Sequence, residues 1–438
     1  MQNPDVAKNL LPLIRKEFPR VESDANGRPR IFFENAAGSL VLARAAEAEA
    51  KARIDCSANV DGPADESKMN EEVILGGRRA VCDLLQAQHE DCIVSGESAT
   101  SLLFQLSYAI GKELSGDGNI VTTEYEHYAN ISPWLELERR GLVEEVRFAK
   151  FNPRDAMLDL SHFESLVDDK TKIISVAGVS NVLGSKSPLA EVIRVAKNTS
   201  AYTVLDAVHS VAHIPIDVQR TPFDFVVFSA YKLFSRRGSF MYGRKDLLAS
   251  LKPYKVLPSP DKPPSNWEMG TRDQSLFASI SAVTDYLTWL GSNVQKDVED
   301  KIRDYSGRRR LLKAALSWIE QYEQTLSLAM LGTNDQEGLR SIDKIEVYGI
   351  TDATKVNLRV PTFTFNIEGA DPSKVAEYLW NKHAIAVLAE DGGGFYSRTL
   401  KTYGKSIAVR ASPVHFNTVE EAGAFIRSLK DTVKHFCG

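Results

Sequence analysis

Short, nearly continuous apolar runs recur along the first two-thirds of the chain, and helical repeats fall between them. The pattern predicts strands at 91–94, 119–122, 172–179, 202–205 and 225–228. After the turn at 95–100, Leu102, Leu103, Leu106 and Ile110 share one helical face. Ser187-Pro188 opens another helix, with the proline in its first turn. Residues 238–242 read as a further strand, joined so directly to the one before that an antiparallel pairing suits it. Apolar strands alternating with helices imply an α/β fold with a mainly parallel sheet covered on both faces. Ligands in such sheets sit beyond the carboxyl ends of the strands.

The rest of the chain changes character. A Pro-rich stretch at 257–264 is followed, after Ala282, by helical periodicity to about Gln324. An extended segment at 362–367 comes next, then a helix capped by Asp371-Pro372. A last helix opens at Thr418 with Glu421 three residues on, a capping-box pattern. We expect three parts: an N-terminal segment, 1–25, packing with the small domain; a large domain, 26–285; and a smaller α+β domain, 286–438.

Composition narrows the function. The chain has 438 residues, 43% of them apolar, and a net charge of −5, which gives nucleic-acid binding no electrostatic support. The run Arg308-Arg309-Arg310 reads as a solvated helical face. Cys56, Cys82, Cys92 and Cys437 form no CxxC pair and suggest neither a disulfide framework nor a metal site. A reducing compartment, the cytoplasm, is the expectation. No apolar run is long enough to span a bilayer. Leu10, Leu11, Leu13 and Ile14 read as an amphipathic helix rather than a signal peptide.

The chemistry gathers at the predicted strand ends. Asp206 and His209 follow one buried run, and Ser229 and Lys232 follow the next. A lysine to form an imine, an acid for a ring nitrogen and hydroxyls for a phosphate suit pyridoxal 5'-phosphate (PLP). His127, after the strand at 119–122, could stack on the cofactor ring, and Ala99 and Thr100 open a helix whose free N–H groups suit an anion. Asn181 and His209 could serve the cofactor's phenolic oxygen. Arg410, ending a short apolar strand, could hold a carboxylate through two parallel hydrogen bonds. Taken singly, each could instead be a capping, packing or surface residue.

In this order the pieces resemble the class V aminotransferase group of fold-type I PLP enzymes, and especially its cysteine-desulfurase-like branch. The matching segments are 33–38, 98–100, 126–130, 180–184, 206–209, 228–232, 267–271 and 409–418. The resemblance implies that Lys232 holds PLP, Asp206 pairs with the ring nitrogen and His127 lies against the ring. It implies that Ala99, Thr100, Ser229 and Tyr231 bind the phosphate, with Asn181 and His209 near the phenolic oxygen. Arg410, with Ala37 and Asn181, would receive the amino-acid substrate. Family members are typically homodimers, and Thr271 would reach the partner subunit's phosphate.

The departures bear on the reaction. Many relatives carry glutamine at the place of His209 and histidine at that of Tyr231, and Ser235-Arg236-Arg237-Gly238 is more basic than the usual glycine-proline version. Desulfurases carry a nucleophilic cysteine on a loop that here reads Asp391-Gly392-Gly393-Gly394-Phe395-Tyr396-Ser397. Without that thiolate, the first expectation is Cβ–X cleavage of C–S lyase or β-elimination type. The alternative is a cysteine desulfurase using a cysteine from elsewhere. Epimerisation, carbon–carbon bond formation through an enamine, and a non-catalytic partner protein follow. The tri-glycine loop at 392–394 is expected to shape the side-chain pocket.

Overall fold

The computed structural model describes residues 4–333, 335–391 and 397–438. Its strands, in chain order, are β1 (Ile31–Phe32), β2 (Ile93–Gly96), β3 (Asn119–Thr123), β4 (Glu145–Ala149), β5 (Thr171–Ala177), β6 (Tyr202–Asp206) and β7 (Phe225–Ser229). They continue as β8 (Ser239–Gly243), β9 (Ile345–Tyr348), β10 (Phe363–Ile367), β11 (Ile385–Ala386), β12 (Leu388–Asp391) and β13 (Ile407–Ala411). Seven form the central sheet in the order β2-β8-β7-β6-β5-β3-β4. All run parallel except β8, which is antiparallel to both its neighbours. Every residue of β3, β7 and β8 is buried, because helices cover both faces; the apolar runs are therefore continuous rather than alternating. This is the expected α/β fold with a mainly parallel seven-stranded sheet.

Helix Gln274–Val294 packs against helices Ala43–Asp55, Asp65–Leu84 and Gly307–Leu331. Glycines permit the closest approaches. A Cβ on Gly291 would fall 1.9 Å from the Leu311 carbonyl oxygen, and one on Gly77 2.5 Å from the Phe277 Cβ. Asp273 caps helix Gln274–Val294 by accepting from Ser275 N–H, so helical structure begins at Gln274, ahead of Ala282, and runs through 285/286. The Arg308–Arg310 run is partly exposed and also paired. These guanidiniums reach Asp285, Asp83 and Glu299, because the start of helix Gly307–Leu331 lies among those acids. Pro188 precedes helix Leu189–Ala196 at its N-cap instead of lying inside the first turn.

The C-terminal part forms a second, antiparallel sheet, β12-β13-β10-β9, covered by helices Pro372–His383 and Val419–Cys437. Asp371 and Thr418 cap these helices as expected, the latter with Glu421 in a capping box. β1 pairs with β11, so the early chain crosses to this part. Phe18 packs against Phe234, Tyr286, His415 and Phe416, and Arg15 pairs with Glu421. No helix among the described residues is long and apolar enough to cross a membrane.

Candidate active site

Because β3, β5, β6 and β7 run parallel, their ends Thr123, Ala177, Asp206 and Ser229 arrive at one edge. The antiparallel β8 starts at the same edge, and Ser239 Oγ lies 3.1 Å from Ser229 Oγ. Lys232 follows in the single turn Ala230–Leu233, which ends on Phe234 in a left-handed conformation (φ 62°). Its buried Nζ donates to the carbonyl oxygens of Ala36 and, at 2.9 Å, Ala37. Ala36 N–H in turn donates to Ser412 Oγ, tying this loop to the end of β13.

Asp206 is buried and accepts an N–H from Val208 at 2.9 Å; burial pushes its carboxyl up to about 6. Nearby, Glu126 accepts from Thr123 Oγ1 (2.6 Å), Asn130 Nδ2 (2.8 Å) and Ala177 N–H (2.9 Å). Burial pushes this carboxyl up to about 7 against the pull of those three donors. His127 Nδ1 accepts from Ala129 N–H at 3.0 Å, so its neutral ring carries the proton on Nε2. Burial, then Lys232 and Arg410, push that imidazole down to about 4, which keeps it uncharged at neutral pH. His209 lies 3.0 Å from Thr362 Oγ1 through Nε2 and edge-to-face with His213. Burial, with His213, Lys232 and Arg410 beside it, holds His209 well below the usual histidine range.

At the other end of the edge, Ser98 caps helix Ala99–Gly111 in a reciprocal arrangement with Ser101, and the N–H groups of Ala99 and Thr100 belong to its first turn. Tyr231 is half-buried, its ring centroid 5.2 Å from Lys232 Nζ and 5.7 Å from the Arg237 guanidinium. Arg410 is buried on β13 and donates to the Asn181 carbonyl oxygen at 2.9 Å, so in this contact Asn181 contributes its backbone. Thr271 is exposed, one residue beyond Gly270. The Gly392–Gly394 loop lies outside the described residues.

Several participants lie outside the residues that the sequence pattern singles out. Glu126, within the 126–130 segment, bonds to groups on three elements. Glu268 accepts from Ser95 N–H and Oγ at the start of the turn 95–100 and pairs with the buried Arg78. Thr362, 153 residues from His209, is its hydrogen-bond partner. Only Glu126 had a local signal, its place beside His127.

A buried amine, a buried carboxyl with a single backbone donor, a neutral imidazole and a capped helix start thus meet at one sheet edge. These groups fit PLP, which when bound accepts the electrons released as bonds at an amino acid's Cα or Cβ break.

The aminotransferase class-V family model matches residues 31–310. The chain is 26% identical to a probable cysteine desulfurase of Synechocystis sp. across 98% of this chain and 97% of that one. It is 29% identical to the cysteine desulfurase of Pectobacterium carotovorum across 95% and 96%. Among solved structures, a cysteine desulfurase of Thermococcus onnurineus superposes with a TM-score of 0.79 at 24% identity, covering 99% of each chain. One from Escherichia coli gives 0.78 at 21%, covering 97% and 99%; at these identities the two structures speak for the fold alone. The chain belongs to the class-V aminotransferase family. It is a PLP-dependent enzyme of the lyase and transferase kind. These relatives favour the desulfurase alternative over the β-elimination expected first.

Proposed function

We propose that this enzyme cleaves the C–S bond of L-cysteine and passes the sulfur to a thiol carried by another molecule. The observation that carries this reading is the end-to-end likeness to cysteine desulfurases. Lys232 would hold PLP and, once released from it, move a proton at the substrate's Cα. Asp206 would hold a proton at the ring nitrogen, and His127 would lie against the ring. Ala99, Thr100, Ser229 and Tyr231 would bind the phosphate, with Asn181 and His209 near the phenolic oxygen. Arg410 would clamp the α-carboxylate beside Ala37 and fix the angle of the bond to be broken.

The acceptor is external because no cysteine lies between Cys92 and Cys437 in the sequence. Cys56, Cys82 and Cys92 are buried, which pushes their thiols up, and Cys437 Sγ donates to the Glu368 carbonyl oxygen. The acceptor sulfur bonds to the cysteine sulfur as the C–S bond breaks and a proton reaches Cβ, giving L-alanine and an acceptor persulfide. The same lack of an active-loop thiol favours a second reading, β-elimination, in which cysteine and water give sulfide, pyruvate and ammonia. Offering L-cysteine to the PLP-loaded protein with a small thiol separates them. Alanine with sulfur on the thiol supports the first, pyruvate with ammonia the second, and neither product defeats both. Lys232→Ala should remove the visible absorption band and all product.

The same proposal includes a homodimer in which Thr271 reaches the partner's phosphate. A groove of about 630 Å³, lined by Phe104, Tyr108, Leu137, Tyr254 and Met269, runs alongside Ser98 and Thr100 and suits a second copy. It also includes the division at 25/26 and 285/286, and a reducing, cytoplasmic setting.

A further inference from the structure

Arg359 is among the largest wholly buried side chains, and among the described residues no carboxylate pairs with it. Its N–H groups go instead to carbonyl oxygens: Nη1 to Ile350, Nη2 to Thr362 and, at 3.5 Å, to Leu183, and Nε to Val360 at 3.2 Å. The guanidinium carbon lies 3.8 Å from the Phe363 ring centroid. Burial pushes its pKa down to about 9, which leaves it charged at neutral pH. A buried cation without a counter-ion is costly to fold around, so what it holds is informative.

It holds a junction. Leu183 belongs to the 180–184 loop of the large sheet, and Ile350, Val360 and Thr362 belong to the smaller sheet's side of the molecule. The loop is clipped to that side at successive carbonyls: Asn181 accepts from Arg410, Val182 from Thr364 Oγ1, Leu183 from Arg359, and Gly184 from Val360 N–H at 2.9 Å. Gly184 sits at φ 73°, where a Cβ would come 2.7 Å from the Thr362 oxygen and 2.8 Å from the Val360 oxygen. The same Thr362 presents its hydroxyl to His209. One guanidinium thus lies under both Arg410's anchor and His209's anchor.

We propose that Arg359 is a positioning residue for recognition of the substrate's α-carboxylate, holding the 180–184 loop against segment 359–364 so that Arg410 keeps its aim. This rests on the reading of Arg410 as the carboxylate-binding group. A lysine keeps the charge but has three donors on a single nitrogen, so it cannot reach carbonyls on three segments while stacking on Phe363.

The test compares L-cysteine with cysteamine, the same amine without the carboxylate. Binding is read as the change in the visible absorption band of the PLP-loaded protein. Arg359→Lys should bind L-cysteine about tenfold more weakly, the scale of one lost charge-assisted hydrogen bond, while cysteamine binding stays within about twofold and the band without ligand is unchanged. Gly184→Ala, which wedges the same junction, should show the same split, and Thr364→Val a smaller one. Equal weakening for both ligands, or no weakening in any of the three while Arg410→Lys shows the split, overturns the inference. If Arg410→Lys itself shows no split, the carboxylate assignment fails and takes the inference with it.

Discussion

Replacing Glu268 by glutamine is expected to weaken both the fold and the grip on PLP. Its Oε1 accepts from Ser95 N–H at 2.8 Å and Ser95 Oγ at 2.7 Å, while Oε2 pairs with Arg78. The two charged side chains are 2% and 8% exposed. Glutamine keeps the size and an oxygen for Ser95 but leaves the Arg78 guanidinium facing a neutral amide. Removing one partner of a buried pair costs about 3–5 kcal/mol. Arg78 keeps the Ile93 carbonyl and the Phe277 ring, so the expected loss is at the lower end, about 3 kcal/mol, roughly a hundredfold in the folded-to-unfolded ratio. Urea unfolding of the PLP-free protein measures it. Because Ser95 leads into the turn that would hold the phosphate, PLP dissociation should also become measurably easier by equilibrium dialysis. Adding Arg78→Met should recover most of the stability, since the charge then left beside the amide, Arg272 (3.6 Å from Oε2 in the parent), is 25% exposed and reaches water. The reasoning is refuted if Glu268→Gln unfolds within about 1 kcal/mol of the parent, or if the double variant is no more stable than the single one.

Two further outcomes follow from packing and burial. Gly291→Ala, whose Cβ would meet the Leu311 carbonyl oxygen, should cost about 1–3 kcal/mol in urea by forcing helices apart. His415, bonded to Tyr286 Oη at 2.7 Å, is pushed down to about 3 by burial, then by His213. Between pH 6.5 and 3 the unfolded histidine binds a proton that the folded one does not. This stability is therefore present above 6.5 and is lost as pH falls, about 2 kcal/mol of it by pH 5. Urea midpoints at pH 7.5 and 5 should show the parent losing that much more than His415→Gln, and parallel losses would refute the assignment.

The central sheet was legible because its strands are buried on both faces and read as unbroken apolar runs, so that a polar residue at a run's end, Asp206 or Ser229, stood out. Lys232 and Arg410 were legible for the same reason. Glu126 was not, because a glutamate beside a histidine looks solvated until Thr123, Asn130 and Ala177 are folded around it. Arg359 was invisible, since its partners are backbone oxygens that carry no sequence signature. The start of helix Gln274–Val294 was not legible although its cap, Asp273, stands in the sequence, because an aspartate fits a turn as readily as a helix cap. The preferred reaction leaned on one missing cysteine, whereas the likeness to desulfurases spreads along the whole chain.

The placement of β8 also sets the order in which the sheet can be completed. β2 has β8 as its neighbour in the sheet, and about 140 residues separate the two in the chain. At ribosomal rates of about 5–20 residues per second, the early strand waits about 7–30 s for its mate to be made. Throughout that interval Ile93 and Val94 present an unpaired apolar edge. Slowing translation between the two strands should therefore lower the yield of native protein in chaperone-depleted extracts more than slowing it after Gly243.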